Sequence, residues 1–317
     1  LKKLAFVFPG QGSQAVGMGK DLYHHYDLVK QMFEQANTAL GYDLTSIMFE
    51  GPSEELTKTE NTQPALLLLS AAITELLKQE QISAHITAGH SLGEYSALVA
   101  SEAISYIDAV QLVHKRGKLM DNAYPEGKGS MAAVLGLKQE ELETALEEIR
   151  KEYNQVIEIA NLNCPGQIVI SGTKEAIDIA LKSLKEAGAK RVLPLSVSGP
   201  FHSSLMKPAA EEFQKEVDKV EWNDAIIPLY ANVTAKTVSS KEEIKSLLVE
   251  QLYSPVRFEE ITEQILAEKV DAIVEIGNGK VLSGLVKKVD RRAPVFNIQD
   301  TDSLKVFTDW VKEEAIC

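Results

Sequence analysis

The pentapeptide Gly89-His90-Ser91-Leu92-Gly93 fits the pattern G-x-S-x-G. An apolar run, Ala84 to Ala88, precedes it, and a helix-like run, Glu94 to Ala103, follows it. A strand that turns sharply into a helix holds the central residue on a tight elbow. The flanking positions must be glycine, because a side chain there would meet the neighbouring strand and helix. The serine hydroxyl then projects from the edge of a sheet, and the first amides of the helix point toward whatever bonds to it. The motif therefore demands an α/β layer structure and places a candidate nucleophile, Ser91, at a strand end. The same context is also compatible with an ordinary strand-to-helix turn that carries a serine.

The chain has 317 residues, room for one large domain with an insertion or for two domains. No apolar run reaches the ~20 residues that span a bilayer. The longest, around Ala65 to Ala72, is interrupted by Ser70. Lys2 and Lys3 lead straight into a strand-like segment without a signal-peptide pattern, and Cys164 and Cys317 make no disulfide framework, so a cytoplasmic location is expected. The net charge of −13 argues against nucleic-acid binding. A local basic cluster, Lys280, Lys287, Lys288, Arg291 and Arg292, reads either as a solvated helix face or as a docking site.

Strand-like and helix-like segments alternate from Leu4–Phe8 through the elbow to a helix over Tyr106–Asn122, which predicts a mostly parallel sheet covered on both faces. After Pro125-Glu126-Gly127 the order changes to strand, helix, strand, strand, helix, strand, ending near Leu195. That is the split βαβ, or ferredoxin-like, order. Residues 127–196 are thus expected to form a small domain inserted into a larger one built from residues 1–126 and 197–317. In the larger unit, helices are expected over Ser203–Val220 and Lys241–Leu252, with strands at Pro228–Asn232, Val270–Ile276 and Pro294–Ile298.

A serine hydroxyl needs a base at neutral pH. Of the six histidines, His202 sits in Ser198-Gly199-Pro200-Phe201-His202-Ser203-Ser204, a loop between a strand and a helix, where active-site residues of open α/β sheets gather. The alternative is a polar residue at a helix start. His90, beside Ser91, is expected to point away from it. An oxyanion would need backbone donors, one of them the Leu92 amide, and the glycine-rich turn Gly10-Gln11-Gly12-Ser13-Gln14 can approach a ligand closely or can be a purely structural turn. Arg116 could hold a carboxylate in two parallel hydrogen bonds, although a surface ion pair is the usual fate of an arginine on a helix.

These segments together resemble the malonyl-CoA:acyl carrier protein transacylase family of bacterial type II fatty acid synthesis. The resemblance runs from Phe8-Pro9-Gly10-Gln11-Gly12-Ser13-Gln14 and Thr62-Gln63-Pro64-Ala65 through Gly89-His90-Ser91-Leu92-Gly93-Glu94-Tyr95 and Arg116-Gly117 with Met120. It continues through Asn163-Cys164-Pro165-Gly166-Gln167 and Gly199-Pro200-Phe201-His202 to Gln251-Leu252 with Ser254-Pro255-Val256. It implies an α/β-hydrolase-like large domain with an inserted ferredoxin-like domain. It further implies Ser91 as nucleophile and His202 as base, with the imidazole oriented by a backbone carbonyl near Gln251 rather than by an aspartate. The amides of Gln11 and Leu92 would form the oxyanion hole. Arg116 would bind the malonyl carboxylate, and Gln63, Met120, Phe201, Asn161 and Asn163 would surround the acyl group. Implied substrates are malonyl-CoA and phosphopantetheinylated acyl carrier protein, with no metal or redox cofactor and a monomeric enzyme. Carrier proteins of this pathway are acidic, which points to Lys287 and Lys288, with Arg191, as docking residues. A serine thioesterase or esterase, a polyketide-pathway acyltransferase with another extender unit, and an inactive carrier-binding module are the rival readings.

Overall fold

The computed structural model describes residues 2–313; Cys317 lies outside the described residues. Among the described residues ten strands form two sheets: β1 (Leu4–Phe8), β2 (Ile86–Gly89), β3 (Gly129–Leu135), β4 (Ile157–Cys164), β5 (Gln167–Thr173), β6 (Arg191–Pro194), β7 (Leu229–Tyr230), β8 (Thr237–Val238), β9 (Ala272–Ile276) and β10 (Val295–Ile298). The larger sheet has the order β10-β9-β1-β2-β7-β8 and is parallel except for β8, a short strand that sequence periodicity did not reveal.

Strand β1 explains why its sequence is continuously apolar. Leu4, Phe6 and Phe8 enter one hydrophobic core, and Ala5 and Val7 enter a second on the opposite face. Successive side chains of a strand point to opposite faces, so a strand covered on both sides cannot alternate with polar residues. Helix Thr59–Gln79 is buried almost all round, including Leu66 to Leu69, for the same reason.

The smaller sheet, β4-β5-β3-β6, is antiparallel throughout. Helices Gln139–Tyr153 and Lys174–Glu186 pack on one face through Leu142, Leu146, Ile177 and Leu184. Met131, Ala160 and Val169 on the other face join the core of the larger unit. That second contact brings β3 and β4 over the end of β2, where the elbow lies.

Candidate active site

The elbow follows β2 as the motif demands. Ser91 adopts φ 52°, a left-handed conformation uncommon for a non-glycine residue. A Cβ on Gly89 would stand 1.9 Å from the Gly93 carbonyl carbon, and one on Gly93 would stand 1.9 Å from the Phe8 carbonyl oxygen. No larger residue fits either place. Asn232, just beyond β7, ties the turn from outside: its side-chain oxygen accepts from the Ser91 amide at 2.8 Å, and its amide donates to the Gly89 carbonyl at 2.6 Å.

His202 arrives from a residue separation of 111, and its Nε2 lies 2.8 Å from Ser91 Oγ. Its Nδ1 lies 2.8 Å from the Gln251 carbonyl oxygen. A carbonyl can only accept, so Nδ1 carries the proton and Nε2 offers its lone pair to the serine hydroxyl. His202 also has positive φ, 56°, and its amide donates to the Leu252 carbonyl at 3.1 Å. Burial first, and then the Arg116 charge, lower its pKa to about 3. The imidazole is therefore neutral across the physiological range.

Arg116 is 1% exposed rather than on the surface. Two features of the helix pair Thr59–Gln79 and Tyr106–Asn122 put it there. Gly117 lets the backbones close: a Cβ at that position would be 2.7 Å from the Thr59 carbonyl oxygen. Pro64 has no N–H to return to the Glu60 carbonyl, which instead meets the His114 ring nitrogen at 2.8 Å. One guanidinium nitrogen of Arg116 donates to Gln63 Oε1 at 2.9 Å, and the other donates to Gln251 Oε1 at 2.8 Å and to Ser91 Oγ at 3.3 Å. Among the described residues its Nε makes no hydrogen bond, the guanidinium lies 5.2 Å from the Tyr95 ring centroid, and burial pulls its pKa down. A buried fork with spare donor capacity beside the Ser91 hydroxyl is suited to an anionic group.

A cavity of about 410 Å³ opens beside Ser91 and His202, while Arg116, Gln63 and Gln251 are not among its lining residues. Gln11, Met120, Asn161, Phe201 and His90 line it together with Ser91 and His202. Leu92 is buried under the elbow. Neither the Gln11 nor the Leu92 amide donates to another protein group among the described residues. Gln63 reaches the site through Arg116 and contacts Met120 Sδ at 3.4 Å. Asn163 does not line the cavity; its side-chain oxygen lies 2.7 Å from His90 Nε2, so His90 turns toward β4 and links the elbow to the smaller sheet. Burial lowers the His90 pKa, in keeping with a neutral ring on that amide.

The basic residues lie outside the cavity lining. Lys287 is tied down, its Nζ donating to the Ala293 carbonyl at 2.5 Å and the Arg291 carbonyl at 3.3 Å, both in the loop that follows helix Val281–Val289. Lys288 and Arg191 are exposed. None of the three lines the cavity.

Two residues at the site carried no role in the sequence reading. Asn232 is one. The other is Glu94, 2% exposed, whose Oε2 accepts from Gln251 Nε2 at 2.6 Å. Burial raises its pKa to about 7 against the opposing hydrogen bonds from Gln251 and Asn232 and the charge of Arg116. An acid at the start of so apolar a helix, Gly93–Ala100, was the available signal.

Residues 5–313 match the family model described as acyl transferase domain. The chain belongs to that family. It is 51% identical over 314 residues to the malonyl CoA-acyl carrier protein transacylase of Bacillus subtilis (strain 168), covering 99% of each protein. Among solved structures it is similar to an acyl carrier protein S-malonyltransferase from Vibrio cholerae O1 biovar eltor, with TM-score 0.93 and 45% identity over 96% of this chain and 99% of that one. It is also similar to a malonyl-transacylase solved in complex with its type II PKS acyl-carrier protein, with TM-score 0.94 and 44% identity over 97% of this chain and 99% of that one. In this acyltransferase the Ser91 hydroxyl, the His202 imidazole and the Arg116 guanidinium meet within one buried cluster.

Proposed function

We propose that this acyltransferase moves a malonyl group from malonyl-CoA to the phosphopantetheine thiol of acyl carrier protein, supplying the extender unit of fatty acid synthesis. The observation that carries the reading is the placement of the buried Arg116 fork 3.3 Å from Ser91 Oγ. An acyl group attached to that oxygen would hold a carboxylate two carbons away within reach of the guanidinium.

His202 Nε2 takes the proton of Ser91 Oγ as that oxygen attacks the thioester carbonyl. The Leu92 and Gln11 amides face the oxyanion. Collapse expels the CoA sulfur, which takes the proton from Nε2 and leaves a malonyl-serine ester. The carrier thiol then gives its proton to Nε2, attacks the ester, and releases Ser91 with its proton returned. A carbonyl, not a carboxylate, orients the imidazole, so the pair works without a third acidic member. The chemistry calls on no metal or redox group. Arg116 disfavours the imidazolium, and a substrate carboxylate offsets that charge, so malonyl makes His202 a better base than acetyl does.

Met120 and Phe201 bound the acyl chamber, with Asn161 across from them on β4. Gln63 and Gln251 hold Arg116 in aim. Residues 127–196 form the inserted unit, Lys288 and Arg191 offer positive charge to an acidic carrier, and the enzyme acts as a cytoplasmic monomer. Among the described residues no helix is long and apolar enough to cross a membrane.

Intact-protein mass spectrometry tests the reading. Brief mixing with malonyl-CoA should add one malonyl group to the wild type and none to Ser91→Ala, and the adduct should pass to added phosphopantetheinylated carrier protein. An adduct that decays to free malonate instead would make the chain a hydrolase. The similarity to a polyketide-carrier transacylase favours one second reading, the same transfer to a polyketide carrier. Faster transfer to such a carrier than to a fatty acid carrier would establish it.

A further inference from the structure

Gln251 stands between the two halves of this site. Its backbone carbonyl holds His202 Nδ1 at 2.8 Å, and its side-chain oxygen accepts from Arg116 at 2.8 Å. Both depend on how the residue is held. Its side-chain Nε2 faces three acceptors: Glu94 Oε2 at 2.6 Å, the Ser91 carbonyl at 3.0 Å and Asn232 Oδ1 at 3.2 Å. Reversing the amide would set oxygen against three oxygens and an NH₂ against a guanidinium. The shortest of the three contacts, and the one made by an ionisable group, is the one to Glu94.

Among the described residues the carboxyl of Glu94 has two hydrogen bonds, and the one from Gln251 is the shorter. Its second bond, from the Asn232 amide at 3.4 Å, leads to the residue that ties down the elbow. The charged group facing it is Arg116, reached through the Gln251 amide. Helix Gly93–Ala100 places it in the first turn, where a carboxylate is favoured by the aligned amides.

We infer that Glu94 is a positioning residue of this active site: its carboxyl fixes the Gln251 amide and, through that one residue, holds the His202 imidazole and the Arg116 guanidinium in register. Glu94 touches neither substrate nor reacting atoms. It keeps the base aimed at Ser91 and the fork aimed at the acyl carboxylate, so that acyl selectivity and nucleophile strength share one support. The selectivity half rests on the malonyl reading above; the nucleophile half does not.

The test compares wild type, Glu94→Ala and Glu94→Gln by two readouts. The first is the rate at which an uncharged fluorophosphonate labels Ser91, which needs only the Ser91–His202 pair. The second is the ratio of malonyl to acetyl loading on Ser91 when both CoA esters are offered together. Glu94→Ala is expected to lower each by about tenfold, the loss that accompanies removal of one hydrogen bond to a charged group. Glu94→Gln keeps an acceptor oxygen for Gln251 Nε2 and should bring both back to within about threefold of wild type, the scale of a neutral hydrogen bond. Glu94→Ala that labels and discriminates like the wild type overturns the inference. So does Glu94→Gln that loses as much as Glu94→Ala, because an isosteric side chain would then fail for reasons other than the bond to Gln251. If the wild type labels with fluorophosphonate but takes another acyl group in place of malonyl, the malonyl reading fails while the labelling comparison still decides the role of Glu94.

Discussion

Replacing Arg116 by alanine separates binding of the acyl carboxylate from the chemistry at Ser91. The guanidinium already spends its NH₂ groups on Gln63, Gln251 and Ser91 at 2.9, 2.8 and 3.3 Å, and it is fully enclosed. A malonyl carboxylate held there gains two charge-assisted bonds in a buried site, at roughly 1.5–3 kcal/mol each. Their loss corresponds to a fall of roughly 10²- to 10⁴-fold in kcat/KM for malonyl-CoA. Acetyl-CoA makes neither bond. Removal of the positive charge near His202 also raises the basicity of that ring, since Arg116 is the second cause of its depressed pKa after burial. Acetyl loading should therefore change by less than about tenfold, or rise. The assay is loading of Ser91 from an equimolar mixture of malonyl-CoA and acetyl-CoA, read by intact mass within the first turnover. Equal loss of both acyl groups would refute the argument, because Arg116 would then be supporting the serine rather than the carboxylate.

Four further outcomes are expected. Fluorophosphonate labelling of wild-type Ser91 should stay level from pH 8 down to about pH 5, since the His202 pKa of about 3 keeps the base neutral there; a fall centred near 6.5 would contradict this, and in Arg116→Ala the acid limb should move up. The same depressed pKa carries a stability consequence. The folded ring resists a proton that the unfolded ring accepts at 6.5, so this contribution is present above pH 6.5 and is lost as pH falls toward 3; a urea midpoint that declines less over that window in His202→Gln than in wild type checks the sign. Gly93→Ala places a Cβ 1.9 Å from the Phe8 carbonyl oxygen and should abolish Ser91 labelling or folding, whereas Gly284→Ala, with open space around it, should leave both intact. Finally, charge reversal of Lys288 and Arg191 should raise the KM for carrier protein and leave malonyl-CoA loading unchanged, with equal damage to both half-reactions counting against carrier docking there; Lys287 makes a poor partner for this test because its ammonium is held by two carbonyls.

The strand-to-helix elbow was legible because it is a local steric statement: Gly89 and Gly93 admit no side chain, and their neighbours have strand and helix character. The order of β3 to β6 and their helices was legible from periodicity, and helix Tyr106–Asn122 from its amphipathic pattern. Helices Phe258–Ala267, Val281–Val289 and Thr301–Glu313 were less so, as was the two-residue β8, whose pairing with β7 is a tertiary event. At the site, Ser91 announces itself, whereas Arg116 read from its own neighbourhood is an ordinary helical arginine. Only the closure of two helices over Gly117 and Pro64 buries it.

The sequence by itself determined what short-range sterics and side-chain periodicity control: the elbow, the alternation of elements, the antiparallel unit and the place of Ser91 at the strand end. The tertiary structure alone decided the electrostatics. Gln251 meets Ser91 across a separation of 160 residues, and Glu94 meets Gln251 across 157. Whether an ionisable group is a solvated surface charge or a buried fork beside a nucleophile depends on the dielectric and the partners around it. Those are properties of packed segments distant in the chain, and no local pattern encodes them.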